Sequence, residues 1–193
     1  MESKVDAPCP QCFQDNVLTM LVMSSEIPYF GEHTQITVVC SSCGWKHTDF
    51  IPSDGQKPGY SSLIVDGSEK CSARVVRSSS CTIRIPELDL EVAPGASSSG
   101  FVSNVEGVIN RFEDAVSSII RGNSDDVSIL NESAKLLEGL SKMKHGRSHF
   151  IIELLDPKGR SQIIHEEALC RELMDHEVES LDMGPEVPVF EVG

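Results

Sequence analysis

Four of the seven cysteines fall into two pairs of identical spacing, Cys9-x2-Cys12 and Cys40-x2-Cys43, with 27 residues between the pairs. No other feature of the chain restricts its fold as strongly. A two-residue gap puts both sulfurs on one tight turn, and two such turns facing each other supply the tetrahedral four-thiolate shell that zinc takes at ~2.3 Å. A filled shell leaves no position for water or substrate, so the single Zn2+ expected here is structural and not catalytic. Pro8 and Pro10 stiffen the first turn, and Gly44 directly after Cys43 lets the chain fold back beneath the metal. Iron also suits four thiolates. Redox or simply buried thiols are the less economical reading, because two matched pairs arise by chance less readily than one. Cys71, Cys81 and Cys170 stand alone and read as ordinary core or surface thiols.

Strand-like runs connect the pairs. Val17 to Met23 and Thr34 to Val39 lie between them, and Trp45 to Ile51 leaves the second pair as a further short strand. A small antiparallel zinc ribbon is therefore expected over residues 1–52. The turn-rich segment Pro52 to Gly59 marks the boundary to a second, β-rich domain over residues 53–193.

In that second part Ser61–Val65, Ser72–Arg77, Thr82–Ile85 and Leu88–Val92 are strand candidates. Ile83 and Ile85 are odd-numbered whereas Leu88, Leu90 and Val92 are even-numbered. A straight strand would put the two sets on opposite faces, so a strand bent at Pro86–Glu87 is predicted. Glu87, Asp89 and Glu91 would then share an outward face, either simply solvated or used for docking. Ser103 and Glu106 form a capping-box pattern. The spacing of Val105, Val108, Ile109, Phe112, Val116, Ile119 and Ile120 predicts an amphipathic helix ended by Gly122–Asn123. A second helix, about Asp125 to Lys144 with an apolar stripe of Val127, Leu130, Ala134, Leu137 and Leu140, completes a helical hairpin at about 103–145. Phe150–Leu155 and Arg160–Ile164 read as a β-hairpin across Asp156-Pro157-Lys158-Gly159. Glu166–Glu177 reads as a short helix and Val187–Val192 as a final edge strand. The fold class is thus mainly β with α.

Thirty acidic against sixteen basic residues give a formal charge of -14, whose field repels phosphate backbones and anionic lipids. A nucleic-acid-binding zinc ribbon remains the alternative function, favoured by the metal site and opposed by the charge. Met1 to Ala7 lack the apolar run of a secretory signal and no segment approaches the ~20 apolar residues of a membrane span, so a cytoplasmic protein is expected. His145 and His149 are separated by the helix-breaking Gly146, and His165 has no metal-enzyme spacing. No phosphate loop, nucleophile elbow or acid/base pair is visible, so an enzyme is not expected. The sequence leaves the oligomeric state open.

Read with their neighbours, the cysteines resemble those of the ZPR-type zinc-finger family. The resemblance rests on Cys9-Pro10-Gln11-Cys12, Ile27-Pro28-Tyr29-Phe30-Gly31-Glu32, Cys40-Ser41-Ser42-Cys43-Gly44-Trp45 and Arg74-Val75-Val76-Arg77-Ser78. The long run Ile83-Arg84-Ile85-Pro86-Glu87-Leu88-Asp89-Leu90-Glu91-Val92 is its most specific part, and Val105-Glu106-Gly107-Val108 and Asp156-Pro157-Lys158-Gly159 extend it. One copy of the module is present, as in the archaeal members. His33, Trp45 and Lys70-Cys71 depart from the usual pattern, and none of them is a presumed ligand. The resemblance implies a zinc ribbon followed by a double-stranded β-helix domain with an inserted helical hairpin. It also implies a protein partner, translation elongation factor one-alpha, for which eukaryotic relatives act in folding or maturation. Pro28, Tyr29 and Phe30 beside the ribbon are the candidate partner contacts, with packing against the ribbon as the other use of Tyr29 and Phe30.

Overall fold

The computed structural model describes residues 1–27, 31–52, 57–95 and 98–184. Among these, β1 (Glu2–Val5), β2 (Leu18–Ile27), β3 (Gly31–Cys40) and β4 (Lys46–Pro52) form one antiparallel sheet in chain order. Along β2 and β3 the apolar residues alternate, so Leu18, Met20 and Val38 fall on one face and, with Val5, Cys9 and Cys40, make a small core of their own. The short, charged β1 gives no sequence signal. It forms because Val5 fills that core while Glu2–Val5 pairs with Leu18–Leu21.

The rest of the chain builds a mainly β body with helices. β5 (Gly59–Val65), β7 (Thr82–Ile85), β8 (Leu90–Val92), β10 (Phe150–Asp156) and β12 (Leu169–Glu172) form a sheet ordered β12-β5-β10-β7-β8. A second sheet, β11-β6-β9, contains β6 (Arg74–Arg77), β9 (Phe101–Asn104) and β11 (Gln162–Ile164). Leu63, Ile85, Ile152 and Leu154 of the first sheet pack with Val75 and Ile163 of the second in one core, closed by Val108, Ile109 and Phe112 of α1 (Val105–Gly122) and Leu140 and Met143 of α2 (Val127–Lys144).

Several expectations change. β7 and β8 are not one bent strand but the two arms of a hairpin, pairing Ile83 with Val92 and Ile85 with Leu90. A 3-10 turn over Pro86–Leu88 and Asp89 at φ 50° reverse the chain completely, so residues of opposite parity reach the same face. Glu87, Asp89 and Glu91 accordingly do not form a common face. Glu87 accepts the Ile151 N–H (3.0 Å), and Glu91 pairs with Arg84. The N-cap of α1 is Asn104, not Ser103; its Oδ1 accepts the Gly107 N–H at 2.8 Å. β11 turns away from β10 after Asp156–Gly159 and pairs with β6, so no β10–β11 hairpin exists. Glu166–Glu177 is not one helix: it contains the four-residue strand β12 against β5 and ends in the one-turn α3 (Asp175–Glu179). The Val187–Val192 segment lies outside the described residues.

The buried face of α2 is also rotated from the predicted stripe. Of the stripe, Leu140 is buried and Leu130 and Leu137 are half-buried, whereas Val127 and Ala134 are exposed and Ser133 and Met143, outside it, are buried. Close approach to the β7–β8 turn selects this face: a Cβ on Gly139 would sit 2.6 Å from Leu88 Cδ2, so a residue that costs a helix ~1 kcal/mol is tolerated at the contact.

The ribbon joins the body through the fully buried carboxylate of Asp49, and a second buried carboxylate, Asp156, orders the body residues that meet it. Asp49 of β4 accepts from the Ser79 N–H (2.9 Å) and hydroxyl (2.8 Å) and from Arg160 Nη1 (3.3 Å). Asp156, at the end of β10, accepts from the hydroxyls of Ser78 (2.7 Å), Ser80 (2.7 Å) and Ser161 (2.6 Å) and from the N–H groups of Lys158 and Arg160. The Ser78–Ser80 loop thus bonds both aspartates. The backbone of Thr48 in β4 also donates its N–H to the Ser99 hydroxyl (2.8 Å), and its carbonyl accepts from that hydroxyl (3.0 Å) and from the Gly100 N–H (2.6 Å).

The α2 docking face has a direct test in urea denaturation followed by circular dichroism. Leu140→Ala is expected to cost about 2–5 kcal/mol through the cavity it leaves, whereas Val127→Ala, at a site 69% exposed, is expected to stay within ~0.5 kcal/mol of the parent. Equal losses would contradict the observed face.

Candidate metal centre

The two cysteine turns are built alike. In the first, the Phe13 N–H bonds the Cys9 carbonyl (2.8 Å) and the Cys9 N–H bonds the Gln14 carbonyl (2.9 Å). In the second, the Gly44 N–H bonds the Cys40 carbonyl (3.1 Å) and the Cys40 N–H bonds the Trp45 carbonyl (2.8 Å). The residue after each second cysteine takes the left-handed conformation, Phe13 at φ 59° and Gly44 at φ 75°. Ser41 ties the second turn to the first arm, its N–H and its hydroxyl both donating to the Val17 carbonyl.

This geometry brings Cys9, Cys12, Cys40 and Cys43 together, all four sulfurs lying within 4.8 Å of one another. Cys9 Sγ is 3.7 Å from Cys43 Sγ, and Cys12 Sγ is 3.7 Å from Cys40 Sγ. A tetrahedron with ~2.3 Å zinc–sulfur bonds has edges of roughly 3.8 Å, so the sulfurs fit one zinc ion. Cys9 and Cys40 are buried in the ribbon core, Cys12 is half-buried and Cys43 is exposed, which seats the ion at the margin of that core. Trp45 packs on the same core and stacks on His47 with centroids 6.1 Å apart and planes 9° from parallel.

Proton sharing among the thiols points the same way. The Cys43 N–H, 3.5 Å from Cys40 Sγ, leads the interactions that hold Cys40 down to about 6. Cys43 goes the other way: the Trp45 N–H pulls it down, but desolvation and hydrogen bonds from the other three thiols push it up to about 12. Four thiolates this close repel one another, and a dication at their centre removes the conflict.

The predicted partner contacts Pro28, Tyr29 and Phe30 lie outside the described residues. Sequence reasoning passed over Phe13, which is 78% exposed and directly follows Cys12. Its signal was available, since it occupies the position that Gly44 fills in the other turn. The departures from the family pattern are absorbed by packing. His33 is buried 5.7 Å from the Phe50 ring and 3.3 Å from Ser25 Oγ, Cys71 is buried, and Lys70 pairs with Asp66 (3.0 Å) and Glu167 (2.8 Å).

Comparison with known proteins agrees with this fold and site. Residues 69–180 match the family model described as the ZPR1 jelly-roll domain. A ZPR1-like protein of Methanocaldococcus jannaschii is 35% identical over 184 residues, covering 95% of this chain and 92% of that protein. Another from Pyrococcus horikoshii is 32% identical over 183 residues, covering 94% and 82%. The zinc finger chaperone zpr1 of Schizosaccharomyces pombe is 26% identical over 165 residues, covering 81% of this chain and 35% of that longer protein. The site and the body behind it are those of a zinc-ribbon protein with a jelly-roll domain. The chain belongs to the ZPR1 family and matches archaeal members over nearly its whole length.

Elemental analysis of the purified chain is expected to give one zinc per molecule. Binding at such sites contributes on the order of 10 kcal/mol to folding, so Cys40→Ser is expected to lose the metal and to lower the ribbon's melting temperature as strongly as a chelator does. Full metal content in that variant would contradict the four-sulfur site.

Proposed function

We propose that this chain is a binding protein rather than an enzyme, a chaperone-like zinc-finger factor whose client is the translation elongation factor one-alpha GTPase. The client follows from the family resemblance, and the chaperone role is supported by the printed name of the S. pombe relative. The observation that carries the binding reading is Phe13. An aromatic residue in the left-handed region costs ~1–2 kcal/mol, and here that strain is spent holding the ring in solvent beside the metal. Exposed, rigidly mounted aromatics of this kind are frequent anchors of protein interfaces.

A closed four-sulfur shell offers the ion no substrate position, which favours bracing over catalysis. A cytoplasmic site of action accords with such a client. No helix among the described residues is long and apolar enough to cross a membrane.

Phe13→Gly separates the two roles of that residue. Relief of the left-handed strain is expected to stabilise the ribbon by about 0.5–1 kcal/mol, while affinity for purified elongation factor, measured by calorimetry, is expected to fall at least tenfold. Undiminished binding by this variant would remove Phe13 from the interface. Undiminished binding by Cys40→Ser would overturn the role of the metal-braced ribbon.

A further inference from the structure

The five-stranded sheet of the body turns one face to the core and the other outward. Leu63 and Val65 of β5 and Ile152 and Leu154 of β10 belong to the core. The alternate residues, Tyr60, Ser62 and Ile64 of β5 and Leu155, Glu153 and Ile151 of β10, share the outer face, each opposite its partner in an unbroken antiparallel register. The chain covers one end of this face itself. Leu173, Val178 and Leu181, in and around α3, pack there with Tyr60 and Leu155. The other end is open: Ile64 is 60% exposed, and Leu169 of β12, opposite Ser62, is 57% exposed. Ile151, directly opposite Ile64, is half-buried. Opposite side chains on one face lie ~5 Å apart and diagonal ones ~7–8 Å, so these three aliphatic residues adjoin.

Carboxylates surround this patch. Glu153 is the next outward residue of β10, and Glu91 lies beyond it across Arg84, with which it pairs. Glu87 stands at the side of Ile151, whose N–H it accepts at 3.0 Å. Asp66 follows β5 and Glu167 precedes β12; between them they hold the ammonium of Lys70, at 3.0 and 2.8 Å. Lys70 is buried whereas Asp66 and Glu167 are exposed, so the cation lies beneath and the carboxylates face solvent. The other basic groups at this rim are the half-buried Arg84, already paired, and His149, exposed near Asp66. An apolar centre with an acidic margin selects among occupants. A second copy of the same face, a phosphate backbone or an anionic lipid surface would each bring like charge against it. An apolar ridge with cationic flanks complements it.

We propose that the open end of this sheet face seats a basic amphipathic helix of a partner protein. Its apolar stripe lies on Ile64, Ile151 and Leu169, and lysines or arginines along its flanks meet Glu153, Glu91 and Glu167. A helix buries one stripe against the face of a sheet without using the strand edges, and amphipathic helices are recognised through apolar anchors on one side. The covered end of the same face shows the mode within the chain, where a helical turn and its flanking leucines pack on Tyr60 and Leu155. The charge of -14 favours the encounter with a cationic segment, while the apolar trio supplies the contact that salt does not screen. The site is separate from the zinc ribbon and does not rest on its proposed client.

Fluorescence anisotropy on the full chain tests the site. The probe is a labelled leucine–lysine peptide with leucines at every third and fourth position, and its control has the same composition scrambled so that the leucines spread around the helix. The amphipathic peptide is expected to bind saturably and the scrambled one at least tenfold more weakly. Ile64→Lys is expected to weaken the amphipathic peptide at least tenfold. Val127→Lys makes the same charge change at a site 69% exposed on the helical hairpin, away from this face, and is expected to leave affinity within about twofold. Leu169→Lys, on the neighbouring strand, carries the same test should Ile64→Lys fail to fold by circular dichroism. Absence of saturable binding up to about 1 mM, a weak limit for a specific site, would overturn the proposal. So would equal binding of the scrambled peptide, or equal affinity in the Val127→Lys variant and the folded variants at Ile64 and Leu169.

Discussion

Closure of four sulfurs around one dication is the constraint on which the ribbon depends. Among the described residues its fully buried apolar core is Val5, Leu18, Met20 and Val38 besides cysteines, with Ala7, Val17, Val22, Ile36 and Trp45 half-buried against it, a small core for a unit that would fold by burial alone. Two of the four ligands, Cys9 and Cys40, are also core residues, so metal binding and packing are one event. The repeated hydrogen-bond pattern of the two turns, with a left-handed residue after each second cysteine, aims both pairs at a common point.

That local event has consequences at a distance because β4 leaves the second turn and enters the body. Asp49, six residues beyond Cys43, is fully buried and accepts from Ser79, Arg160 and the Phe50 N–H, and the neighbouring Asp156 gathers three more hydroxyls. Buried carboxylates are costly unless their lone pairs are met, and those of Asp49 are met from both sides of the junction, by the Phe50 N–H in the ribbon and by Ser79 and Arg160 in the body. A shift of β4 against the body would strand Asp49 and its partners Ser79 and Arg160. The same Ser78–Ser80 loop follows Arg77, which bonds the Ser99 carbonyl and lies over the Phe101 ring.

Local chemistry was legible in the sequence, and long-range pairing was not. The cysteine spacing needs only turn geometry and the coordination number of zinc. The first helix needs only its own periodicity, and Val105, Val108, Ile109, Phe112 and Val116 are buried as their spacing requires, while Ile119, in the last turn of the same stripe, is exposed. The second helix forms where predicted, but its buried face is turned so that Val127 and Ala134 of the stripe are exposed, and Gly139 against Leu88, a contact 51 residues apart in sequence, lies on the side that turns inward. The parity change across Pro86 correctly marked a break, but whether the chain bends or reverses depends on the left-handed Asp89, which composition does not announce. The strand β12 looked helical because all four of its residues are exposed, so no buried alternation revealed its pairing with β5.

The central claim is a closed shell of four sulfurs, and X-ray absorption at the zinc edge of the purified protein addresses it most directly. The account requires four sulfur scatterers at ~2.3 Å and no nitrogen or oxygen neighbour. A shell containing fewer sulfurs, or one completed by water or imidazole, would contradict it.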